Sequence, residues 1–226
     1  MVEIQYLYKA TVRTFLDDEK VLEKMQKRAQ NRIDVSKGEL QSWPSSIEAL
    51  QQLLKMVVEK NREMLRSFII LEARLQDLRS DCFIFGKNRK KEGTLFIIEM
   101  KQWSGDFVSL PDNEDDIRAG YVMTKYPDFP KQRHPSLQAS DYRWRPNMIP
   151  AFRDNYINRV SAAYCYKCEC GSQTYTVLYN DGYEDYRTDC KLYTAHSLNS
   201  LVNAIEFNVG CGAGYDVYRQ FINYED

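Results

Sequence analysis

Long apolar runs are missing from this 226-residue chain. No stretch approaches the roughly 18 apolar residues that a membrane-crossing helix needs, so no transmembrane helix is expected. The N-terminus, MVEIQYLYKATVRTF, mixes acidic and basic residues with apolar ones and lacks a signal-peptide core. A cytoplasmic protein without a membrane partner is the expectation. Net charge is also scarce: 31 Lys and Arg stand against 32 Asp and Glu, leaving −1. No global field therefore draws the chain to a polyanion, and any nucleic-acid contact has to come from local patches. Internal repeats, low-complexity tracts and long linkers are absent too, which leaves one domain over residues 1–226. The six cysteines, Cys82, Cys165, Cys168, Cys170, Cys190 and Cys211, read as thiols rather than a disulfide framework in a chain of this kind.

Periodicity supplies the elements that are present. Residues 15–32 place Leu22, Met25 and Ala29 at helical spacing, with Asp17 and Asp18 suited to a first turn. Ser45 followed by Glu48 has the form of a capping box, and Ile47, Leu50, Leu54, Val57 and Val58 make one apolar stripe behind it. A long helix from about Pro44 to Glu59 follows, and DVSKGEL reads as the break before it. SFIILEARL, SDCFIFG and TLFIIEMKQW are three strands, the last two joined by the basic turn KNRKKEG. The stretch with DNEDD, Asp112 to Asp116, reads as a solvated acidic loop. A helix begins at HPSLQ, and Pro146 ends it. VSAAYCYKCECGSQTYTVLYN reads as strand, turn and strand, and SLNSLVNAIEF and YDVYRQFI as closing helices. The fold class is α/β: a central mixed sheet flanked by helices, with a core at about 39–180 and an extension at 181–226.

FIIEMKQW, Phe96 to Trp103, sets a carboxylate and an ammonium into a strand that otherwise reads as buried. Residues two apart in a strand share a face, so Glu99 and Lys101 project together. A buried charge is costly unless it is paired or functional. The preceding strand begins at Asp81, and the hairpin through KNRKKEG brings it alongside. Two carboxylates so placed are hard oxygen ligands suited to Mg²⁺ or Mn²⁺, and a neighbouring Lys can steady a phosphoryl group. The plain alternative is a cross-strand salt bridge. Downstream, Gln138 and Tyr142 stand four apart and share a helix face.

Asp81, seventeen intervening residues and then Glu99-Met100-Lys101, with Gln138 and Tyr142 after them, resemble the PD-(D/E)xK nucleases of the RecB-like branch. HPSLQASDY and GELQSWPSSIEAL bring the resemblance closer to the nuclease-like module that precedes a superfamily-one helicase-like ATPase in some bacterial proteins. It spans most of the chain and is specific between about residues 39 and 142. Ser80 stands where the name-giving proline would be. The resemblance implies a restriction-endonuclease-like core and a metal-dependent nuclease acting on DNA, with Mg²⁺ or Mn²⁺ held by Asp81, Glu99 and the Met100 carbonyl. Lys101 would orient water or steady the transition state, with Gln138 supporting it and Tyr142 against the substrate backbone. A helicase-like ATPase partner and a role in defence against phage are further implications, and a homo-oligomer is compatible with it.

Each assignment has a structural counterpart. Glu39 is either a third acid near the metal or a solvated loop residue. His134 either contacts phosphate or caps the helix that follows it. The Cys165, Cys168 and Cys170 trio could carry zinc or an iron–sulfur cluster, but no cysteine precedes Cys82 and the three alternate unevenly along a strand, so neither is expected. GCGAG, Gly210 to Gly214, reads as a turn, and KNRKK as a basic turn able to touch a DNA backbone. The competing reading of the whole is a catalytically silent nucleic-acid-binding or protein-interaction module with a nuclease fold.

Overall fold

The charged interruptions of the strands and the apolar residues around them sort onto a mixed sheet in the computed structural model, which describes residues 4–32, 35–75, 78–126, 130–144, 146, 149, 152, 153 and 157–222. Strands β1 (Ile4–Gln5) and β2 (Tyr8–Thr11) lie end to end along one edge, both antiparallel to β3 (Phe68–Leu75). Antiparallel β4 (Leu78–Lys87) and β5 (Gly93–Lys101) follow. Parallel β9 (Asn158–Cys165) and β10 (Lys191–Thr194) close the other edge. A separate three-stranded sheet joins β6 (Val108–Ser109), β7 (Tyr121–Thr124) and β8 (Lys131–Arg133).

Helices α1 (Val12–Asp17), α2 (Val21–Arg32), α3 (Lys37–Lys60) and α8 (Leu198–Val209) cover one face of the main sheet. Their apolar stripes, Val21, Met25 and Ala29 on α2 and Leu50, Leu54 and Val57 on α3, meet Ile69, Leu71, Ile84, Phe96 and Ile98. Helices α5 (Pro135–Trp144) and α9 (Tyr215–Ile222) cover the other face, where Tyr142, Val217 and Phe221 pack on Phe83, Phe85, Leu95 and Ile97. Strand β5 is buried on both sides, which is why its sequence reads as a nearly continuous apolar run. Three short helices, α4 (Glu114–Arg118), α6 (Gln173–Leu178) and α7 (Glu184–Asp189), pack with the small sheet in a third core around Trp103, Val122, Leu178 and Tyr183. Among the described residues no helix is long and apolar enough to cross a membrane.

Several expected elements take a different form. The helix expected over 15–32 is two, because Asp18 ends α1 in an extended conformation and its carboxylate accepts the Lys20 N–H and the Tyr8 hydroxyl. The long helix starts at Lys37, not near Pro44: Ser36 and Glu39 close the capping box, and the helix runs through Pro44. Two capping-box patterns nine residues apart competed, and the earlier one wins. DNEDD is not a loop, since Asn113 caps α4 and Asp116 pairs with Lys131 at 2.6 Å. QTYTVL forms α6 rather than a strand, with the Ser172 hydroxyl accepting the Tyr175 N–H. The supposed extension is integral, because β10 is a strand of the main sheet and α8 covers its face. The basic turn at Lys87–Lys91 lies at the far end of the β4–β5 hairpin from Glu99. From Cys82↔Ile98 to Lys87↔Gly93 the ladder spans about 17 Å at the ordinary strand rise. Lys87 pairs with Asp216 and Lys91 bonds the Cys211 carbonyl, so the turn is tied to the C-terminal segment and stands apart from the pocket at Glu99.

Candidate active site

The sheet opens where its charges are. The β4–β5 ladder stops at Cys82↔Ile98, so the next facing residues, Asp81 and Glu99, form no ladder pair. On the other side of β4 the β3 ladder includes Leu71↔Cys82 and Ala73↔Ser80 but skips Glu72 and Asp81 between them. Glu72 has φ +52°, in the left-handed region that a non-glycine residue rarely enters. Leu71 packs in the core under α3 whereas Ala73 packs in the core under α5, so side-chain alternation changes phase at Glu72. Strand β4 thus loses ladder pairing on both sides at Asp81. The Asp81 Oδ2 instead accepts the Met100 N–H at 2.5 Å.

A pocket of about 950 Å³ opens at this splay, between the first turns of α3, the sheet end and α5. It is lined by Asp81, Glu99, Met100, Lys101, Gln138 and Tyr142, and also by Glu39. All seven come from the specific span of the sequence resemblance, and they lie on four separate elements, α3, β4, β5 and α5. Glu99 is 2% exposed, and its Oε1 lies 2.6 Å from Lys101 Nζ while its buried Oε2 has no hydrogen-bond partner. The Gln138 amide donates to the Tyr142 hydroxyl at 2.7 Å across one helical turn. The Tyr142 ring packs in the core, and the residue is 5% exposed, so contact with a substrate is confined to its hydroxyl end.

Burial and mutual repulsion hold the carboxylates toward their neutral forms. Burial, then the neighbouring Asp81 charge, pushes Glu99 up to about 8, against the opposing pull of Lys101. Asp81 is raised by burial, although Lys101, the Met100 N–H and Arg79 oppose the shift. Burial alone would depress Lys101, but Glu99 and Asp81 outweigh it and keep the ammonium charged.

Two expected residues play other parts. Glu39 lies in the first helical turn, not a loop, and both of its oxygens are engaged: Oε2 accepts the Ser36 N–H at 2.7 Å and Oε1 pairs with Arg79. It lines the pocket as a cap, not as a free ligand. His134 does not line the pocket and is fully buried, so it is not available to a substrate phosphate. Its Nδ1 accepts the Ser136 N–H, its Nε2–H donates to the Leu178 carbonyl, and its ring stacks on Tyr183 at 4.8 Å. Burial depresses it to about 4, and it remains a neutral cap of α5. Cys165 and Cys168 are buried at the end of β9 and in the turn after it, while Cys170 is exposed. Burial raises both buried thiols. All six cysteines are free.

The third acid of the site is Glu72, which was not singled out in the sequence. Trp43 Nε1–H donates to its Oε1 at 3.0 Å, and Arg79 Nε lies 2.9 Å from its Oε2. Burial, then Asp81 and Glu99, raise it well above the carboxylate range. The signal was available: FIILEARL sets a carboxylate into an apolar strand just as FIIEMKQW does.

Among the described residues no group of three or more His, Cys, Asp or Glu is arranged to hold a metal unaided. The donor set nevertheless fits a hard divalent ion, which accepts one or two carboxylates and keeps water in its remaining positions. The unpartnered Glu99 Oε2 is the specific observation in favour, and positive charge beside it would restore the ionised forms of Glu99 and Asp81. Compared with known proteins, the chain matches no family model, no curated protein and no solved structure at a significant level.

Proposed function

We propose that the chain is a metal-dependent nuclease of the PD-(D/E)xK type, hydrolysing phosphodiester bonds in DNA by attack of water. The observation that carries the reading is the meeting of Asp81, Glu99, Lys101, Gln138 and Tyr142 in one pocket at an opened strand pair. Asp81 and Glu99, with the Met100 carbonyl, would hold Mg²⁺ or Mn²⁺, which supplies charge stabilisation to phosphoryl oxygens and acidifies water. Lys101 stays charged at the pocket floor, where its ammonium can orient the attacking water or offset charge that develops on the phosphorus oxygens. Gln138 and Tyr142 hold each other in place along one face of α5, and both line the pocket. Action against phage or other mobile DNA, and cooperation with a helicase-like ATPase, extend the proposal on the strength of the sequence resemblance.

The test is an assay on supercoiled plasmid and on single-stranded DNA, with Mg²⁺ or Mn²⁺ and with chelator. Cleavage that requires the cation and disappears in Lys101→Ala is the expected result. Binding without any cation-dependent cleavage sinks the nuclease and leaves the silent nucleic-acid-binding module. Cleavage that survives unchanged in Asp81→Asn refutes the site while leaving an enzyme.

A further inference from the structure

An aromatic path leads out of the pocket. Lys101 Nζ stands 5.5 Å from the centre of the Trp103 ring, which is 2% exposed. Trp103 and Phe107 lie 6.4 Å apart, and Phe107 meets Tyr126 edge-on at 4.9 Å. Tyr126 is 38% exposed and lines the same pocket. The path is held by backbone: the Lys125 N–H donates to the Phe107 carbonyl at 3.1 Å, and Val108 pairs with Thr124. A ring supported edge-on from below keeps its position at little further cost in conformational entropy, which is what a stacking platform needs. The exposed Lys37 also lines the pocket and offers positive charge to a phosphate backbone.

The reactive groups are recessed while the aromatic surface is at the rim. Lys101 is 18% exposed in its side chain and Glu99 2%. In a duplex the bases are paired and stacked inward, so none is free to lie on Tyr126 while its phosphodiester descends to Lys101. A strand with unpaired bases can do both. We infer that Tyr126 is the platform for an unpaired base next to the phosphodiester bound at the pocket floor, so that the site takes single-stranded nucleic acid or an opened duplex end. The nature of the ligand rests on the nuclease reading, but the test below does not depend on cleavage.

Binding is measured by fluorescence anisotropy in chelator, with a labelled single-stranded oligonucleotide and a hairpin duplex of the same composition. Wild-type protein is expected to bind the single strand at least about tenfold more tightly than the hairpin. Tyr126→Ala is expected to weaken single-strand binding by about 5- to 150-fold, the loss of one base–aromatic stack. Tyr126→Phe, which keeps the ring, should stay within about twofold of wild type by the same argument. Equal affinity for hairpin and single strand, no binding of either, or an unchanged Tyr126→Ala variant with native circular dichroism each overturns the inference. The two readings fail separately. Tyr126-dependent single-strand binding without cleavage sinks the nuclease alone, whereas duplex cleavage indifferent to Tyr126 sinks the platform alone.

Discussion

Glu99 carries the sharpest consequence at the scale of single residues. Its carboxyl is raised from an ordinary 4.5 to about 8, so between those values the folded protein holds a proton that the unfolded chain releases. Stability in the absence of divalent cation therefore falls as pH rises through that window, and Asp81 and Glu72 add to the slope because they shift the same way. Thermal melts in chelator should show a lower Tm at pH 8 than at pH 5, with a smaller difference in Glu99→Gln. Identical slopes in the two proteins would show that Glu99 does not titrate in that range. Mn²⁺ should raise Tm more at pH 8 than at pH 5, because cation and proton compete for the same oxygens. Glu99 and Lys101 were legible in the sequence because burying a charge is expensive and an apolar strand advertises the exception. Glu72 breaks the same rule, with Arg74 two residues on as Lys101 is from Glu99, but its partners in the site are Trp43 and Arg79, which the strand's own sequence does not contain.

The kink in β3 is the element that decides how the site opens. Glu72 interrupts the ladder opposite Asp81, and Trp43 on α3 and Arg79 on β4 hold its two oxygens. In Glu72→Gln only one of those donors still meets an oxygen, and the other faces an amide N–H. A cost of about 1–3 kcal/mol in stability follows. Mn²⁺ affinity should fall by about 10- to 100-fold, the usual effect of removing a group that orients metal ligands. Calorimetric titration reads this directly, and an unchanged dissociation constant in a folded variant would remove Glu72 from the site. Strands β3, β4 and β5 and helices α5, α8 and α9 were legible because their apolar periodicity matched their burial. Helix α6 was not, because TYTVL has strand-forming β-branched and aromatic residues, and packing of Thr174, Val177 and Leu178 in the third core overrides them. The start of α3 was not legible either: contacts between Trp43 and Glu72, and between Glu39 and Arg79, favour the earlier cap.

At the scale of the whole molecule, the segment that joins α8 to α9 is docked at the sheet end away from the pocket. Gly214 has φ +62° and sits so close to Gly86 that an added Cβ would overlap its backbone N. Gly214→Ala should lower stability by about 1–3 kcal/mol or more, from strain and overlap together. Cation-dependent cleavage at a permissive temperature should persist, since Gly86 lies at the opposite end of β4 from Asp81. Loss of cleavage in a variant with a native melting curve would show that the two ends are coupled. The amino-acid sequence by itself determined the α/β class, the central strands and the candidates Asp81, Glu99, Lys101, Gln138 and Tyr142. The class and strands follow from local period and Glu99 and Lys101 from charges placed where apolar residues belong, whereas Asp81, Gln138 and Tyr142 stand out through the spacing that resembles the PD-(D/E)xK pattern. Tertiary structure alone decided that β4 loses both neighbours at Asp81, that Glu72 rather than Glu39 is the third buried acid, and that His134 is a cap. The physical reason is that each of these depends on distant partners: Met100, 19 residues from Asp81, Trp43, 29 from Glu72, and Leu178, 44 from His134. Burial and pairing across the sheet are properties of such meetings, and no local window of sequence contains them.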